Sequence, residues 1–295
     1  MKIGLYDLDS KIPNLALMKL SAWHQAQGDQ TELYFPLAHD SYHKIYASKI
    51  FNFSSRAYLR DDMQIGGTGY DMAVKLPEEV ESVAPDYSLY NYPHNIGFAM
   101  RGCRFKCEFC VVPQKEGSPK AVNSISGIWT QRSSRLLVLL DNDFFGNPNW
   151  SDCIDEIKEL NLAVNFSQGL NIRIISERQA QALASVKFRN LHNTRSQVTF
   201  AWDQIKDERT ILRGFKRVVS AGIKPWQIQF YVLIGFDSSP EEDMHRVMSI
   251  KHLGADPFVM PYVKTDPYQK RFARWVNRKQ IFNSCGFDEY SLKSP

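Results

Sequence analysis

The chain has 295 residues, 43% of them hydrophobic and 13% aromatic, with a formal charge of +4, which is enough for one large α/β domain and a smaller one, each with its own core. No apolar run approaches the roughly 20 residues that a membrane-spanning helix needs, and the acids of MKIGLYDLDSKIP fall where a signal peptide would be apolar, so a cytoplasmic protein is expected. A pI near 8.7 is too mild to argue for nucleic acid by itself, and five cysteines, three of them bunched, are no disulfide framework and agree with a reducing compartment.

Residues 2–8, KIGLYDL, form an apolar run of strand length, and Pro13 stands at a first-turn position for a helix over 15–27 that ends at Gly28. Residues 31–35 and 44–51 are the next strands, and 63–65 run into Gly66-Gly67-Thr68-Gly69. This is the pattern of a short βαβ-type domain with a parallel sheet. The glycine turn could admit a phosphate or a cofactor tail to its backbone amides. It matches neither GxGxxG nor a Walker loop, however, and a tight turn leaving the sheet is the plainer reading. His39 and His43, four apart in loop-like sequence, read as exposed or capping histidines. The prolines and turn formers of LPEEVESVAPDYSLYNYPHN mark a linker around 76–94.

Residues 95–100 open a second domain. Strands over 135–140, 162–167, 197–202, 227–234 and 256–263 alternate with helices over 150–160, 177–186, 205–221 and 240–253. Ser239, Pro240 and Glu242 make a capping box with proline in the first turn, and Gly222 and Gly254 stand where helices stop. Six strands in βα alternation make a parallel barrel or partial barrel, whose functional residues sit at the carboxyl ends of strands. That rule selects Asp141, Asn142 and Asp143 after the second strand, Gln168, Asn171 and Arg173 after the third, and Asp203 after the fourth. Gly235 follows the fifth strand, and Tyr262 and Lys264 follow the sixth. The tail over 265–282 interleaves Lys270, Arg271, Arg274, Arg278 and Lys279 with Phe272 and Trp275. It could hold phosphates and stack a base, but an amphipathic helix closing the barrel, with Phe272, Trp275 and Val276 inward, is preferred. The expected architecture is therefore α/β: a small Rossmann-like or flavodoxin-like domain over 1–90, a partial (βα)6 TIM-like barrel over 91–265, and a closing basic and aromatic helix within 266–295.

The most informative stretch is Asn95 to Glu116, NIGFAMRGCRFKCEFCVVPQKE, which holds Cys103, Cys107 and Cys110. A short loop can turn three sulfurs toward one inorganic centre while Arg101, Arg104 and Lys106 offset their charge. Structural zinc normally takes four protein ligands, and no second CxxC or HxxxH couple lies close downstream, so three ligands with an open fourth position fit better. Structural cysteines, a disulfide pair and a zinc site are the alternatives. Cys153 and Cys285 read as small apolar side chains.

The CxxxCxxC spacing, with Phe109 just before the last cysteine, resembles the signature of the radical S-adenosylmethionine superfamily. The resemblance implies that Cys103, Cys107 and Cys110 are the catalytic and metal-binding residues, holding a four-iron four-sulfur cluster whose fourth iron is chelated by S-adenosylmethionine. One electron, from a reductase such as flavodoxin or ferredoxin, would break the sulfonium to a 5′-deoxyadenosyl radical that takes hydrogen from the substrate. It further implies cofactor contacts from Phe109; from Asp141, Asn142 and Asp143, which stand where many relatives carry a GGE-like run; from Gln168, Arg173 and Asp203; and from Ile234 and Gly235 near the adenine, in YVLIGFDSSPE. Val111-Val112-Pro113 resembles the methylthiotransferase branch, but residues 1–102 contain no cysteine for the second cluster of that branch. The first domain resembles the cobalamin-binding type, although Asp7-Leu8-Asp9-Ser10-Lys11-Ile12 lacks the histidine of DxHxxG, so cobalamin is a further candidate cofactor. A nucleic acid base, a peptide and a small molecule all stand open as substrate. The rival of another class is a non-catalytic iron–sulfur or zinc sensor.

Overall fold

The amino-terminal apolar run becomes β1 (Lys2–Asp7), an inner strand of a parallel sheet in the order β2 (Gln30–Leu33), β1, β3 (Lys44–Ser48), β4 (Gln64–Gly66). The computed structural model describes residues 1–291, a mixed α/β fold with parallel sheets; residues 292–295 of the expected closing segment lie outside the described residues. Helix α1 (Leu15–Gln25) starts after Pro13 because the Asn14 side chain caps it, accepting from the Leu17 amide at 3.2 Å. Its apolar residues serve two cores. Leu17 and Leu20 pack with Ile3, Leu5 and Val80, while Leu15 and Met18 pack with Ile96, Leu136, Val138 and Leu140 of the second sheet.

Strand β3 ends earlier than its apolar run because charged side chains capture the next main-chain groups. The Asp9 carboxylate accepts from the amides of Ile50 at 2.7 Å and Phe51 at 3.0 Å. Lys49, fully buried, donates to the carbonyls of Phe51, Asn52 and Gly69 at 2.6, 3.1 and 3.1 Å. The glycine turn follows from the same crowding. Gly67 has φ +101°, and a Cβ on Gly67 or Gly69 would overlap the backbone of Lys49 or Phe51.

The segment 76–94 is folded into both cores rather than forming a free linker. It carries α2 (Glu78–Glu81), with Val80 buried, and a 3-10 turn over Tyr87–Tyr90. The Tyr90 hydroxyl donates to Asp7 at 2.6 Å, and the Tyr87 hydroxyl accepts from the Ile96 amide at 3.1 Å.

The expected strand over 95–100 splits. Strand β5 (Asn95–Gly97) stops because the Asp141 carboxylate takes the amides of Ala99 at 2.9 Å and Met100 at 3.2 Å. The chain resumes as β6 (Met100–Arg101), antiparallel to β7 (Lys120–Ala121). The cysteines and the short helix α3 (Val112–Glu116) form an excursion between these two strands. Beyond it, β5 continues a parallel sheet in the order β10 (Lys187–Phe188), β9 (Ala163–Phe166), β8 (Leu136–Leu139), β5. A second parallel set runs β11 (Val198–Ala201), β12 (Ile228–Ile234), β13 (Asp256–Pro261), and a parallel bridge between Leu170 and Phe200 joins the two.

Helices α4 (Ile125–Ile128), α5 (Trp150–Glu159), α6 (Glu177–Ala184), α7 (Glu208–Ser220) and α8 (Pro240–His252) connect these strands. The capping box of Ser239 and Glu242 forms at the start of α8, and Gly222 and Gly254 take positive φ after α7 and α8. In α9 (Pro267–Asn277), Phe272, Trp275 and Val276 are buried while Lys270 and Arg274 stay exposed, and α10 (Lys279–Ser284) packs beside it. Burying side chains of this size stabilises the fold by about 1.5–3 kcal/mol each. Asn277 also closes the free edge of β13, accepting from the Val259 amide at 2.7 Å and donating to its carbonyl at 2.9 Å. Among the described residues no helix is long and apolar enough to cross a membrane.

Candidate functional site

The cysteine loop is built on Gly102, whose φ of +85° and closeness to the Ser118 carbonyl leave no room for a Cβ. Just inside, the Cys103 amide donates to the Gly117 carbonyl at 3.2 Å and closes the excursion. Three carboxylates fasten it. Glu116 accepts from the Gly102 amide at 2.9 Å, from Arg101 at 2.9 Å and from Asn142 at 3.2 Å. Asp143, 1% exposed, accepts from Arg104 Nε at 2.6 Å, from Nη2 at 2.8 Å and from the Arg104 amide at 3.2 Å. Gly146 makes that bidentate pair possible, since a Cβ there would overlap the Asp143 carboxylate. Glu81, from the first part of the chain, pairs with Arg101 at 3.2 Å, and the Arg101 guanidinium lies 3.6 Å from the centre of the Phe98 ring.

These bonds correct one expectation. Arg101 and Arg104 do not stand free to offset the sulfurs, because both guanidinium groups are committed to carboxylates; of the three, Lys106 makes no such pair among the described residues.

Cys103, Cys107 and Cys110 are half-buried free thiols. The Cys103 sulfur accepts from the Phe105 amide at 3.5 Å, and the Cys110 amide donates to the Cys107 carbonyl at 3.0 Å. Burial pushes the Cys103 thiol up to about 11, helped by the negative charges of Asp143, Cys110 and Cys107. Burial also raises Cys110, followed by the charges of Cys107, Asp203 and Glu116. Acidic side chains thus lie near two of the sulfurs, Asp143 near Cys103, and Asp203 and Glu116 near Cys110. No group of three or more His, Cys, Asp or Glu side chains among the described residues is gathered closely enough to hold one metal ion. Cys153 lies in the core, as an apolar residue would.

The other expected site residues divide by their surroundings. Phe109 meets Phe236 edge-on at 5.6 Å, and Phe236 meets Tyr262 at 5.0 Å, giving a row of rings from the cysteine loop to the end of β13. Arg173 pairs with Asp207 at 2.8 Å and lies 4.7 Å from the centre of the Phe105 ring, so it too reaches the loop. Burial pushes Asp203 up to about 6, against the pull of Arg246 and Arg173. Asn142 and Asp143 hold the loop from below, whereas Asp141 is spent on the backbone of Ala99 and Met100. Ile234 is fully buried in the core, and the space beside Gly235, whose φ is +74°, is filled by Gln269 of α9. Gln168 is exposed and its amide nitrogen comes only within 3.5 Å of the Ser167 hydroxyl. His39 and His43 share nothing: His39 contacts Asp62 at 2.7 Å, and His43 accepts from the Lys2 amide at 3.0 Å.

Sequence reasoning passed over Glu116 and Arg246, whereas Phe236 belongs to the Gly235-Phe236-Asp237 run that the strand-end rule selects. Glu116 closes the cysteine stretch, but its distance from Gly102 gives no hint that the two meet. Arg246 sits in a helical pattern where a cation reads as solvated; instead it is fully buried, paired with Asp243 at 2.6 Å and donating to the carbonyls of Trp202 at 3.1 Å and Asp203 at 2.7 Å. Compared with known proteins, the chain matches no protein-family model, no curated protein and no solved structure.

Proposed function

We propose that the chain is a radical S-adenosylmethionine enzyme in which Cys103, Cys107 and Cys110 hold a four-iron four-sulfur cluster. The observation that supports this most is the set of three half-buried free thiols on one loop fastened by Glu116 and by the Arg104–Asp143 pair. Thiols that burial and mutual charge push up become thiolates only around a cationic centre. A cluster takes one thiolate at each of separate irons, so its ligands need not meet at a point the size of one ion. When bound, such a cluster passes an electron to the sulfonium of S-adenosylmethionine, and the released adenosyl group takes hydrogen from the substrate.

The chain's own residues supply position and exclusion of water. The Arg104–Asp143 pair and Glu116 fix the loop. Phe109 and Phe236 wall one side of it, and Asp203 and Arg173 are the polar groups at strand ends beside it that suit the amino and carboxylate groups of the cofactor. Two parallel sets, β5-β8-β9-β10 and β11-β12-β13, bridged once between Leu170 and Phe200, support a partial (βα)6 barrel over 91–265 closed by α9. The order β2-β1-β3-β4 suits a flavodoxin-like first domain over 1–90. That domain gives cobalamin no cradle at its glycine turn, because the backbones of Lys49 and Phe51 fill the space. A cytoplasmic location and a flavodoxin or ferredoxin as electron donor belong to the same reading.

The test is anaerobic reconstitution with iron and sulfide, then dithionite and S-adenosylmethionine. A cluster spectrum and 5′-deoxyadenosine are expected, and the absence of either overturns the proposal. A non-catalytic sensor would give the spectrum without 5′-deoxyadenosine.

A further inference from the structure

A second surface, at the ends of the first sheet, has no role in the chemistry proposed above. After β3, Phe51 and Phe53 stack with ring centroids 5.1 Å apart and planes at 23°. Lys264, just past β13, places its ammonium 4.1 Å from the Phe53 ring centre and 5.0 Å from that of Phe51. Phe53 is 55% exposed, so part of its ring is accessible to a ligand. Burial lowers the Lys264 ammonium, and the nearby charge of Lys11 lowers it further, with no carboxylate acting in the opposite direction. An ammonium beside two stacked rings can take an anion.

The surface is pre-organised. Asp9 holds the amides of Ile50 and Phe51, and Lys49 holds the carbonyls of Phe51 and Asn52, so a ligand meets rings that are already ordered. Two routes connect it to the cysteine loop. One is the ring row from Tyr262, two residues before Lys264, through Phe236 to Phe109. The other is the Val74 carbonyl, which accepts from Lys115 of α3 at 2.8 Å.

We infer that this surface binds a nucleotide, with the base stacked on the exposed ring of Phe53 and the phosphate held by Lys264, and that the substrate of the proposed enzyme is a nucleotide, free or within a single strand. An exposed aromatic ring beside a cation matches a base joined to a phosphate. The binding stands on the geometry alone; only the step from bound nucleotide to substrate rests on the proposed function.

The experiment measures anisotropy of a fluorescein-labelled oligouridylate on the full-length protein, with and without the reconstituted cluster. Uridine is chosen because the proposed cofactor site takes adenine. Phe53→Ala and Lys264→Ala should each weaken binding roughly tenfold, and Lys264→Ala should also lower the salt slope by about one. Phe53→Trp and Lys264→Glu add variants that leave the Phe51 anchor intact, the first keeping affinity and the second losing it. Equal competition by uridine monophosphate assigns the free nucleotide, and its failure to compete assigns the strand. If the wild type binds neither, or if folded variants bind as the wild type does, the inference is overturned and the Lys264 contact only pins β13 to the first sheet. Binding without 5′-deoxyadenosine formation would remove the proposed function and leave the site; 5′-deoxyadenosine without binding would do the reverse.

Discussion

Two loops at the carboxyl ends of strands, the one after β3 and the one after β6, are fastened in related ways and present different chemistry. Each is held by charged side chains bonded to main chain, and each packs against glycines where two backbones or a backbone and a carboxylate approach too closely for a Cβ: Gly67 and Gly69 beside the first, Gly102 and Gly146 at the second. In the first loop Lys49 donates to three carbonyls while Asp9 takes two amides, and the Lys264 ammonium lies over the rings of Phe51 and Phe53. In the second loop the anchors are acids, and the cations that neutralise them are the loop's own arginines. The first loop therefore offers rings in a cationic setting. The second offers thiols in an acidic one, a setting that disfavours thiolates until a cationic centre arrives.

The comparison breaks most sharply at the sulfurs. None of the three thiols is among the groups that fasten the loop, so Cys103→Ala, Cys107→Ala and Cys110→Ala should each keep the wild-type circular dichroism while losing all iron after reconstitution; iron retained by any of them would remove that residue from the ligand set. Next in size is the pair beneath. Arg104→Met strands the buried Asp143 carboxylate and should lower stability by about 3–5 kcal/mol, whereas Asp143→Ala frees an arginine that is 33% exposed and should be milder. Urea denaturation of both variants checks the order. If Asp143→Ala is the more damaging, the carboxylate holds the loop chiefly through the Arg104 amide.

Much of the second sheet was legible because its strands are continuous apolar runs between capped helices, and Ser239, Gly222 and Gly254 mark boundaries by local chemistry that tertiary packing does not override. The strand ends were less legible. Strands β3 and β5 stop where Asp9 and Asp141 capture amides from far away in the chain, and no local pattern announces such a bond. The cysteine spacing is local and was readable; the fastening of its loop by Glu81 and Asp143 is not local. The packing of segment 76–94 was not legible, because its prolines and tyrosines look like turn formers while Tyr87 and Tyr90 act through hydroxyls that bond groups outside it.

Asp141 makes the comparison sensitive to pH. Burial pushes its carboxyl up to about 7 from 3.8, against the two amides that favour the ionised form. The folded group holds its proton more tightly than the unfolded one, so its contribution to stability is complete below pH 3.8 and is lost as pH rises through 7. Between pH 5 and pH 8 the wild type should lose about 2–3 kcal/mol relative to Asp141→Asn, whose side chain does not titrate. Parallel urea midpoints for the two proteins across that range would count against a buried, titrating Asp141.

The smallest effect is expected in the first loop. Lys49→Met keeps the length and the apolar stem but removes the ammonium, leaving the carbonyls of Phe51, Asn52 and Gly69 without their donor, at a cost of about 1–3 kcal/mol. The location of the change is more telling than its size. Hydrogen exchange should quicken in 50–53 and 67–69, whereas 102–117 depends on Glu116 and Asp143 and should keep its protection. If the cysteine loop loosens as well, the two loops are one mechanical unit, and the Lys115 bond to the Val74 carbonyl, the nearest physical connection between them, is the contact to remove next.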